Sequence, residues 1–297
     1  MSHLRRPTVR IAGAMAMAIL VVGCSSRQGG VPFTFDTDAF AGAVIRPDDL
    51  ILRGLTLTVV IAILSQVIGV ILGVFAALGR MSRRTFLRGF VGLYIWVFRG
   101  TPLLVQLALI YFGLGAAHLY DWPAIHVLGF TLPGDIQAGI FALGLNEGAY
   151  MSEIVRAGII AIDPGQMEAA RSLGMTYGKA MRRIVLPQAA RVIIPPLGNE
   201  FNNMLKTTSL LFAIGIVELY STFVNKQGLN FLPFEMYLAC AIWFLLLTTI
   251  WGFVQARIER RYAKGTGDVG GSADRPGLQA RFLGLRGRSS DQAAGVR

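Results

Sequence analysis

Several ionisable residues stand inside apolar stretches of this 297-residue chain, and four of them are candidates for contact with a solute: Arg99, Glu147, Glu200 and Lys206. A charged group within a membrane-spanning segment is costly, and it usually faces a bundle interior or an aqueous pathway. A guanidinium can hold a carboxylate through two parallel hydrogen bonds, and a zwitterion needs partners of both signs. These residue types therefore predict the passage of a small polar solute. For Arg99 the partner is either a solute carboxylate or one of the two glutamates of this chain.

Polar side chains also share one face of the segment from about Ala189 to Leu211, when it is projected as a helix at about 100° per residue. Asn199, Asn203 and Lys206 form the central stripe, and Glu200, Asn202 and Thr207 flank it. A water-lined passage explains so wide a polar face, and a polar seam buried against neighbouring helices is the alternative. The pathway candidates are therefore Arg99, Glu147, Asn199, Glu200, Asn203, Lys206 and Thr207.

Another polar face recurs between positions 136 and 160. Asn146, Tyr150 and Glu153 stand at helical spacing, so they share a side of the helix. Glu153 and Arg156 are three residues apart and can pair. We interpret them as a structural ion pair, with direct solute contact as the alternative.

The elements that position these residues are predicted to be membrane-spanning helices. Hydrophobic residues make up 54% of the chain and charged residues only 15%. Roughly 20 apolar residues cross the hydrocarbon core as a helix. Five core spans are predicted at about 53–79, 90–116, 136–160, 189–211 and 233–255, with an outer loop at 117–134 and a short outer helix within 212–232. The predicted fold class is an all-α integral membrane bundle.

The net charge of +11 follows this topology. Basic residues cluster at 80–88 and 257–264, whereas acidic residues dominate 36–49. Because Lys and Arg concentrate on the cytoplasmic side of membrane proteins, the chain is predicted to be multi-pass with a cytoplasmic C-terminus. The distribution explains the charge without a nucleic-acid partner.

The stretch from Asp163 to Pro187 is polar although membrane spans flank it. Asp163 with Gln166 is typical of a capping box, and Pro164 suits the first helical position. Gly174 suits the left-handed residue that ends a helix, and Thr176 can cap the next one. The sequence predicts a helix–turn–helix that docks a soluble partner, with an ordinary amphipathic loop as the alternative.

Several motifs carry a family resemblance. The spacing Glu168-Ala169-Ala170, three residues, Gly174, nine residues, Ile184-x-Leu186-Pro187 resembles the EAA loop of bacterial binding-protein-dependent ABC importers. Three further motifs resemble those of the polar amino acid permease subgroup, which moves glutamine, glutamate, histidine, arginine and similar solutes. They are RGTPLLVQ at 99–106, NEGAYMSE at 146–153 and NEFNNMLKTTS at 199–209. The resemblance covers roughly residues 52–262.

That resemblance implies a type I ABC importer-like bundle in the bacterial cell membrane, which translocates polar amino acids by alternating access. The EAA loop (residues 163–187) would sit in a groove on a cytoplasmic ATPase. Its contact turn would be Glu168, Ala169, Ala170 and Gly174, and its anchors to the next span would be Ile184, Leu186 and Pro187. Further partners would be an extracytoplasmic solute-binding protein, membrane lipid and a second permease copy or paralogue, because five spans are too few to enclose a passage.

The chain is not expected to be an enzyme. It has no GxxxxGK[ST] phosphate loop, so ATP-Mg is expected on the ATPase partner and no cofactor or metal on this chain. The histidines and the two cysteines are too scattered for a metal cluster. An ion-coupled secondary transporter is the alternative function, although we find none of the paired repeats common in such folds.

The predicted organisation has four parts. Residues 1–24 resemble an export signal, since Arg5, Arg6 and Arg10 precede a short apolar stretch that ends at Cys24. An uncleaved anchor, a cleaved or lipidated signal, and a misassigned start codon are the three interpretations. Residues 25–51 are predicted to be extracytoplasmic, 52–262 to form the permease domain, and 263–297 to form a disordered tail.

Overall fold

The computed structural model describes residues 34–127 and 129–263, and within them the chain forms helices and one short hairpin. The helices are α1 Thr37–Ile45, α2 Asp49–Arg80, α3 Thr85–Gly100, α4 Leu103–Ala116, α5 Gly134–Ile160, α6 Pro164–Ser172, α7 Tyr177–Ile214, α8 Leu219–Asn230 and α9 Pro233–Ala263. The predicted all-α class is confirmed. The predictions for residues 1–24 and for the tail from residue 264 lie outside the described residues.

Two helices, α2 and α9, are each long and apolar enough to cross a membrane, and the bent pairs α3–α4 and α7–α8 add two more candidates. Helix α5, which coincides with the third predicted span, is too polar for the same test. Its 27 residues reach about 40 Å, and it packs along α2 with half of its residues buried. Because other helices cover it, α5 needs less apolar surface than a lipid-exposed helix.

Small residues bring α2 and α5 together. Ser65, Gly69 and Gly73 form a buried stripe on α2, and a side chain at Gly73 would collide with Met151 of α5. Helix α5 contributes Gly148 to the seam, where an added Cβ would lie 2.8 Å from Leu72 Cβ. Such small-xxx-small patterns let membrane helices approach closely. The G-x-x-x-G motif at 69–73 therefore indicates close helix packing from the sequence alone, although our sequence analysis did not use it.

The second predicted span, from about 90 to 116, consists of two helices with a break beside Arg99, where Gly100 and Pro102 favour one. Helices α3 and α4 meet at 109°, and Pro102, which has no N–H, stands at the break. The Gln106 amide donates to the carbonyls of Phe98 (2.8 Å) and Thr101 (3.0 Å) and to the Thr101 hydroxyl (2.8 Å). Its oxygen accepts from Asn146 Nδ2 at 2.9 Å. One side chain thus satisfies two backbone carbonyls at the break.

We expect Gln106→Leu to destabilise the bundle by about 1–3 kcal/mol, because it removes the donor to the Thr101 carbonyl and the amide acceptor of Asn146 Nδ2 where water cannot replace them. The measurement is the unfolding midpoint of purified protein in detergent. Gln137→Leu is the matched control. The Gln137 amide, in the first turn of α5, also donates to two carbonyls, but these belong to Pro123 and Leu132 of the exposed outer loop. Equal losses in the two variants would contradict the assignment.

The outer loop predicted at 117–134 contains a hairpin that sequence reasoning missed. Strands β1 Ile125–Val127 and β2 Phe130–Leu132 are antiparallel, and Ile125 pairs with Leu132. Trp122 Nε1 donates to the carbonyl of Ile110 at 2.9 Å, which ties the start of this connection to α4.

At the same end of the bundle, α1 is packed on α9. The Trp243 indole donates to the carbonyl of Ala43 (3.0 Å), and the backbone N–H of Asp36 donates to Glu235 (2.9 Å). Asp48 caps α2 and forms an ion pair with Lys226 of α8. Partial burial raises the pKa of Asp48, but the hydrogen bonds from Lys226 and from a backbone N–H outweigh it, so the pKa falls below its ordinary value. The described part of the predicted segment 25–51 is thus attached to the bundle.

Candidate coupling loop and translocation pathway

The EAA loop begins with a capped helix. The Asp163 carboxylate accepts from the N–H of Gly165 at 2.8 Å, and Pro164 occupies the first turn. The reciprocal half of the predicted capping box is replaced by another contact, because the Gln166 amide oxygen accepts from Gln188 Nε2 at 3.4 Å. That contact ties the first turn of α6 to α7.

The turn between α6 and α7 is closed by Gly174, whose φ is +79°. The N–H of Met175 bonds the carbonyl of Ala170 (3.1 Å), and the N–H of Gly174 bonds that of Arg171 (2.9 Å). These two bonds form a Schellman motif, in which a left-handed residue satisfies the last carbonyls of a helix. The predicted conformational role of Gly174 is confirmed.

The second arm of the loop is continuous with the helix of the fourth predicted span. Helix α7 begins at Tyr177, directly after Thr176, whose side chain forms no capping bond. It contains a π-helical turn at Met181–Val185. Pro187 explains that turn, because it has no N–H and its ring crowds the carbonyl four residues earlier, that of Arg183. The second arm of the loop and the fourth predicted span therefore form one helix, α7, as far as Ile214.

The inner face of the loop rests on three spans. Met167 and Ile162 pack against one apolar cluster, whose buried members are Ala77, Val155, Ile159, Val185 and Ala189. Ala170 is only 1% exposed. It therefore faces the chain's own helices, which corrects the prediction that it belongs to the partner-contact turn.

The outer face of the loop is exposed. Leu173 is 83% exposed and Tyr177 60% exposed, and Glu168, Ala169 and Gly174 lie on the surface. Four basic residues surround this face: Arg171, Lys179, Arg182 and Arg183. An exposed leucine within a polar loop is typical of a protein contact surface.

The predicted anchors are only partly buried. Ile184 is half-buried, and its carbonyl accepts from Gln188 Nε2 at 3.0 Å, whereas Leu186 and Pro187 are exposed. Val185, which the motif does not include, fills the apolar cluster instead. Its side-chain direction depends on the π-helical turn, which the motif spacing does not reveal.

Arg99 lies at the end of α3, where its guanidinium carbon is 5.2 Å from the centre of the Tyr150 ring. The two ion pairs among the described residues are Arg156–Glu153 and Lys226–Asp48. The alternative that pairs Arg99 with Glu147 or Glu200 is therefore not met within the described chain.

An open cavity of about 560 Å³ adjoins Arg99. It is lined by Arg80, Met81, Arg99, Glu153, Arg156 and Ile160. The predicted pair is present, since Arg156 Nη2 lies 2.7 Å from Glu153 Oε2. Arg80 was missed as a lining residue because the topology rule already explains a basic residue at the end of a span.

Glu147 is placed differently from the other candidates. It is 5% exposed, and it accepts from Gln66 Nε2 at 2.9 Å between α2 and α5. The structure thus places Glu147 inside a helix seam rather than on an open polar surface. Gln66 lies outside the motifs that carry the family resemblance, so the sequence gave no indication that it pairs with Glu147.

The polar stripe of α7 is exposed in this chain. Asn199, Asn203 and Lys206 lie on the surface, and Glu200 and Thr207 are half-buried. Asn199 Oδ1 accepts from Gln255 Nε2 at 3.2 Å, and the opposite side of α7 buries Met204 and Leu205. The helices that the structure describes do not cover the stripe, so an aqueous passage or a second chain beside it is compatible with its exposure.

The site is thus a broken-helix bundle with a helix–turn–helix packed on three of its helices. Residues 69–264 match the family described as binding-protein-dependent transport system inner membrane component. The chain belongs to this family.

Relatives support the narrower resemblance. The chain is 40% identical over 271 residues to the arginine transport system permease protein ArgU of Corynebacterium glutamicum, which covers 89% of this chain and 83% of the relative. It is 38% identical over 210 residues to the L-cystine transport system permease protein TcyB of Bacillus subtilis, with 70% and 84% covered. A crystal structure of an amino acid ABC transporter with histidines superposes with a TM-score of 0.67 at 39% identity, with 77% and 100% covered. The predicted resemblance to polar amino acid permeases and the type I importer fold are confirmed.

Proposed function

We propose that this chain is the membrane-spanning subunit of an ATP-driven importer of polar amino acids, coupled to a separate ATPase through the EAA loop. The observation that carries the proposal is the two-sided loop helix α6. Its outer face presents Leu173 and Glu168, and its inner face packs on α2, α5 and α7. The named substrates of the relatives, arginine and L-cystine, support the solute class.

The packing supplies a route for mechanical coupling. Closure of two ATPases on ATP-Mg would bring the loops of two permeases together. Because Met167 rests on a cluster shared by three spans, and because α7 is continuous from Tyr177 to Ile214, a displaced loop moves these helices together. That movement opens the passage outward, and ATP hydrolysis restores the inward-facing state. The loop and the C-terminus lie on the cytoplasmic side in this mechanism.

The passage forms between two permeases. Lipid does not tolerate an exposed stripe such as Asn199, Asn203 and Lys206 at membrane depth, so a second copy or a paralogue faces it across an aqueous gap. An extracytoplasmic solute-binding protein delivers the amino acid at the end of the bundle formed by α1 and the α8–α9 turn.

The test is uptake into proteoliposomes that contain this chain, its ATPase and its binding protein, with labelled arginine, histidine, glutamine, glutamate and cystine. We expect uptake of at least one of these amino acids, and only with ATP. Uptake that persists without the ATPase or without ATP would contradict the proposal and favour an ion-coupled transporter.

We expect Lys206→Leu to lower ATP-driven uptake about tenfold or more. The variant loses one charge-assisted hydrogen bond between the Lys206 ammonium and the solute, and the free energy of such a bond corresponds to a change of about that size. Co-purification with the ATPase should remain unchanged, since Lys206 lies far along α7 from the loop. Lys206→Arg, which keeps the charge, is the matched control. A defect in assembly alone would favour a packing role for the stripe.

A further inference from the structure

We propose that the cavity at the ends of α2, α3 and α5 is a carboxylate-binding site in the passage, with Arg99 as its principal ligand. This proposal rests on the proposed function, because it assigns the solute's carboxylate to a site on the translocation pathway of the same importer. The cavity is lined by three guanidiniums and one carboxylate, so an anionic group is the ligand that its charge favours.

Arg99 has unused capacity for hydrogen bonding. Among the described residues it forms no ion pair and donates no hydrogen bond, and its one specific contact is with the ring of Tyr150. An aromatic ring attracts the positive charge but does not replace oxygen acceptors for the five N–H groups of a guanidinium. A carboxylate matches this planar fork with two parallel bonds.

The Glu153–Arg156 pair supplies the opposite sign. Arg156 Nε and Nη2 both donate to the same oxygen, Glu153 Oε2, at 3.1 and 2.7 Å. Glu153 Oε1 forms no hydrogen bond with the described residues and can therefore accept from an ammonium group. A free guanidinium at Arg99 and a free carboxylate oxygen at Glu153 together match the two charges of an amino acid.

The shape and position of the cavity suit a transit site. Its volume of about 560 Å³ falls within the roughly 300–1,000 Å³ typical of small-molecule sites, and Met81 and Ile160 offer apolar walls for a solute side chain. Glu153, Arg156 and Ile160 follow one another along α5 toward the EAA loop. The cavity is open, so a bound solute can leave, which a transporter requires.

The experiment measures binding of labelled L-arginine and L-histidine to the permease–ATPase complex in nanodiscs without binding protein. Agmatine and histamine, which lack the carboxylate, compete against them. In the wild type we expect each amino acid to compete at least about tenfold better than its decarboxylated counterpart, which is the order of one charge-assisted hydrogen bond. Arg99→Gln should weaken amino acid binding roughly 10- to 100-fold and remove this preference.

Arg83→Gln is the control, because Arg83 is exposed and lies outside the cavity lining; its binding should equal that of the wild type. Arg99→Lys keeps the charge but not the fork, so its affinity and preference should both fall below the wild type. If Arg99→Gln fails to assemble with the ATPase, Arg99→Lys decides the matter, and wild-type affinity in it would overturn the site.

The same complexes are also assayed for ATP-driven uptake with the binding protein. Normal uptake by the wild type, together with wild-type binding and preference in Arg99→Gln, would overturn the site and leave the proposed function standing. Absence of ATP-driven uptake, together with a carboxylate preference that Arg99→Gln removes, would support the site and count against the proposed function. A wild type that does not discriminate histidine from histamine or arginine from agmatine would overturn the site.

Discussion

Replacing Gly73 with valine is expected to destabilise the packing of the bundle strongly. A Cβ at this position would collide with the Met151 side chain and would lie 3.0 Å from the backbone carbonyl carbon of the same residue. Backbone cannot move aside as a flexible side chain can, so α2 and α5 would have to separate along their seam. Overpacking of this kind costs about 1–3 kcal/mol or more, a large share of the roughly 5–15 kcal/mol that stabilises a typical domain.

The measurement is the fraction of purified protein that elutes as a single folded species in detergent, together with its unfolding midpoint. Gly89→Val is the matched control, because Gly89 also lies within a helix but has open space around it. A Gly73→Val protein as stable as Gly89→Val would show that the seam is not closely packed at this point.

Local signals in the sequence were sufficient for the fold class and for the EAA loop. Long uncharged stretches marked α2 and α9, and the cap at Asp163 and the left-handed Gly174 depend on residues within a few positions of each other. Information of this kind is present in a single sequence, because helix ends and spans are decided by neighbouring residues.

Features that depend on distant partners could not be predicted in the same way. Gly100 and Pro102 mark the place of the helix break, but its 109° angle depends on Gln106 reaching the carbonyl of Phe98 and the amide of Asn146. The burial of Ala170 depends on how α6 lies against α7, and the cavity at Arg99 depends on three helix ends converging. The motifs with charged residues indicated candidate functional residues but did not indicate which of these residues contact one another.

Replacing Gly174 with valine is expected to lower ATP-driven uptake about tenfold, which corresponds to about 1.4 kcal/mol of coupling free energy. At φ +79° a β-branched residue is strained, and the left-handed region costs an L-residue roughly 1–2 kcal/mol. Nothing lies within 4 Å of an added Cβ, so the backbone alone carries the strain. Relief of that strain opens the Schellman turn, releases the carbonyls of Ala170 and Arg171, and displaces the exposed Leu173 from its place at the end of α6.

Gly174→Asn separates backbone strain from side-chain volume, because asparagine tolerates the left-handed conformation. It should keep most of the uptake, whereas the valine variant should lose it, and both proteins should insert and fold normally. The assay compares uptake with ATPase co-purification in the same preparations. Equal loss in both variants would place the defect in side-chain bulk at the ATPase surface, and full uptake by the valine variant would mean that coupling does not depend on the shape of this turn.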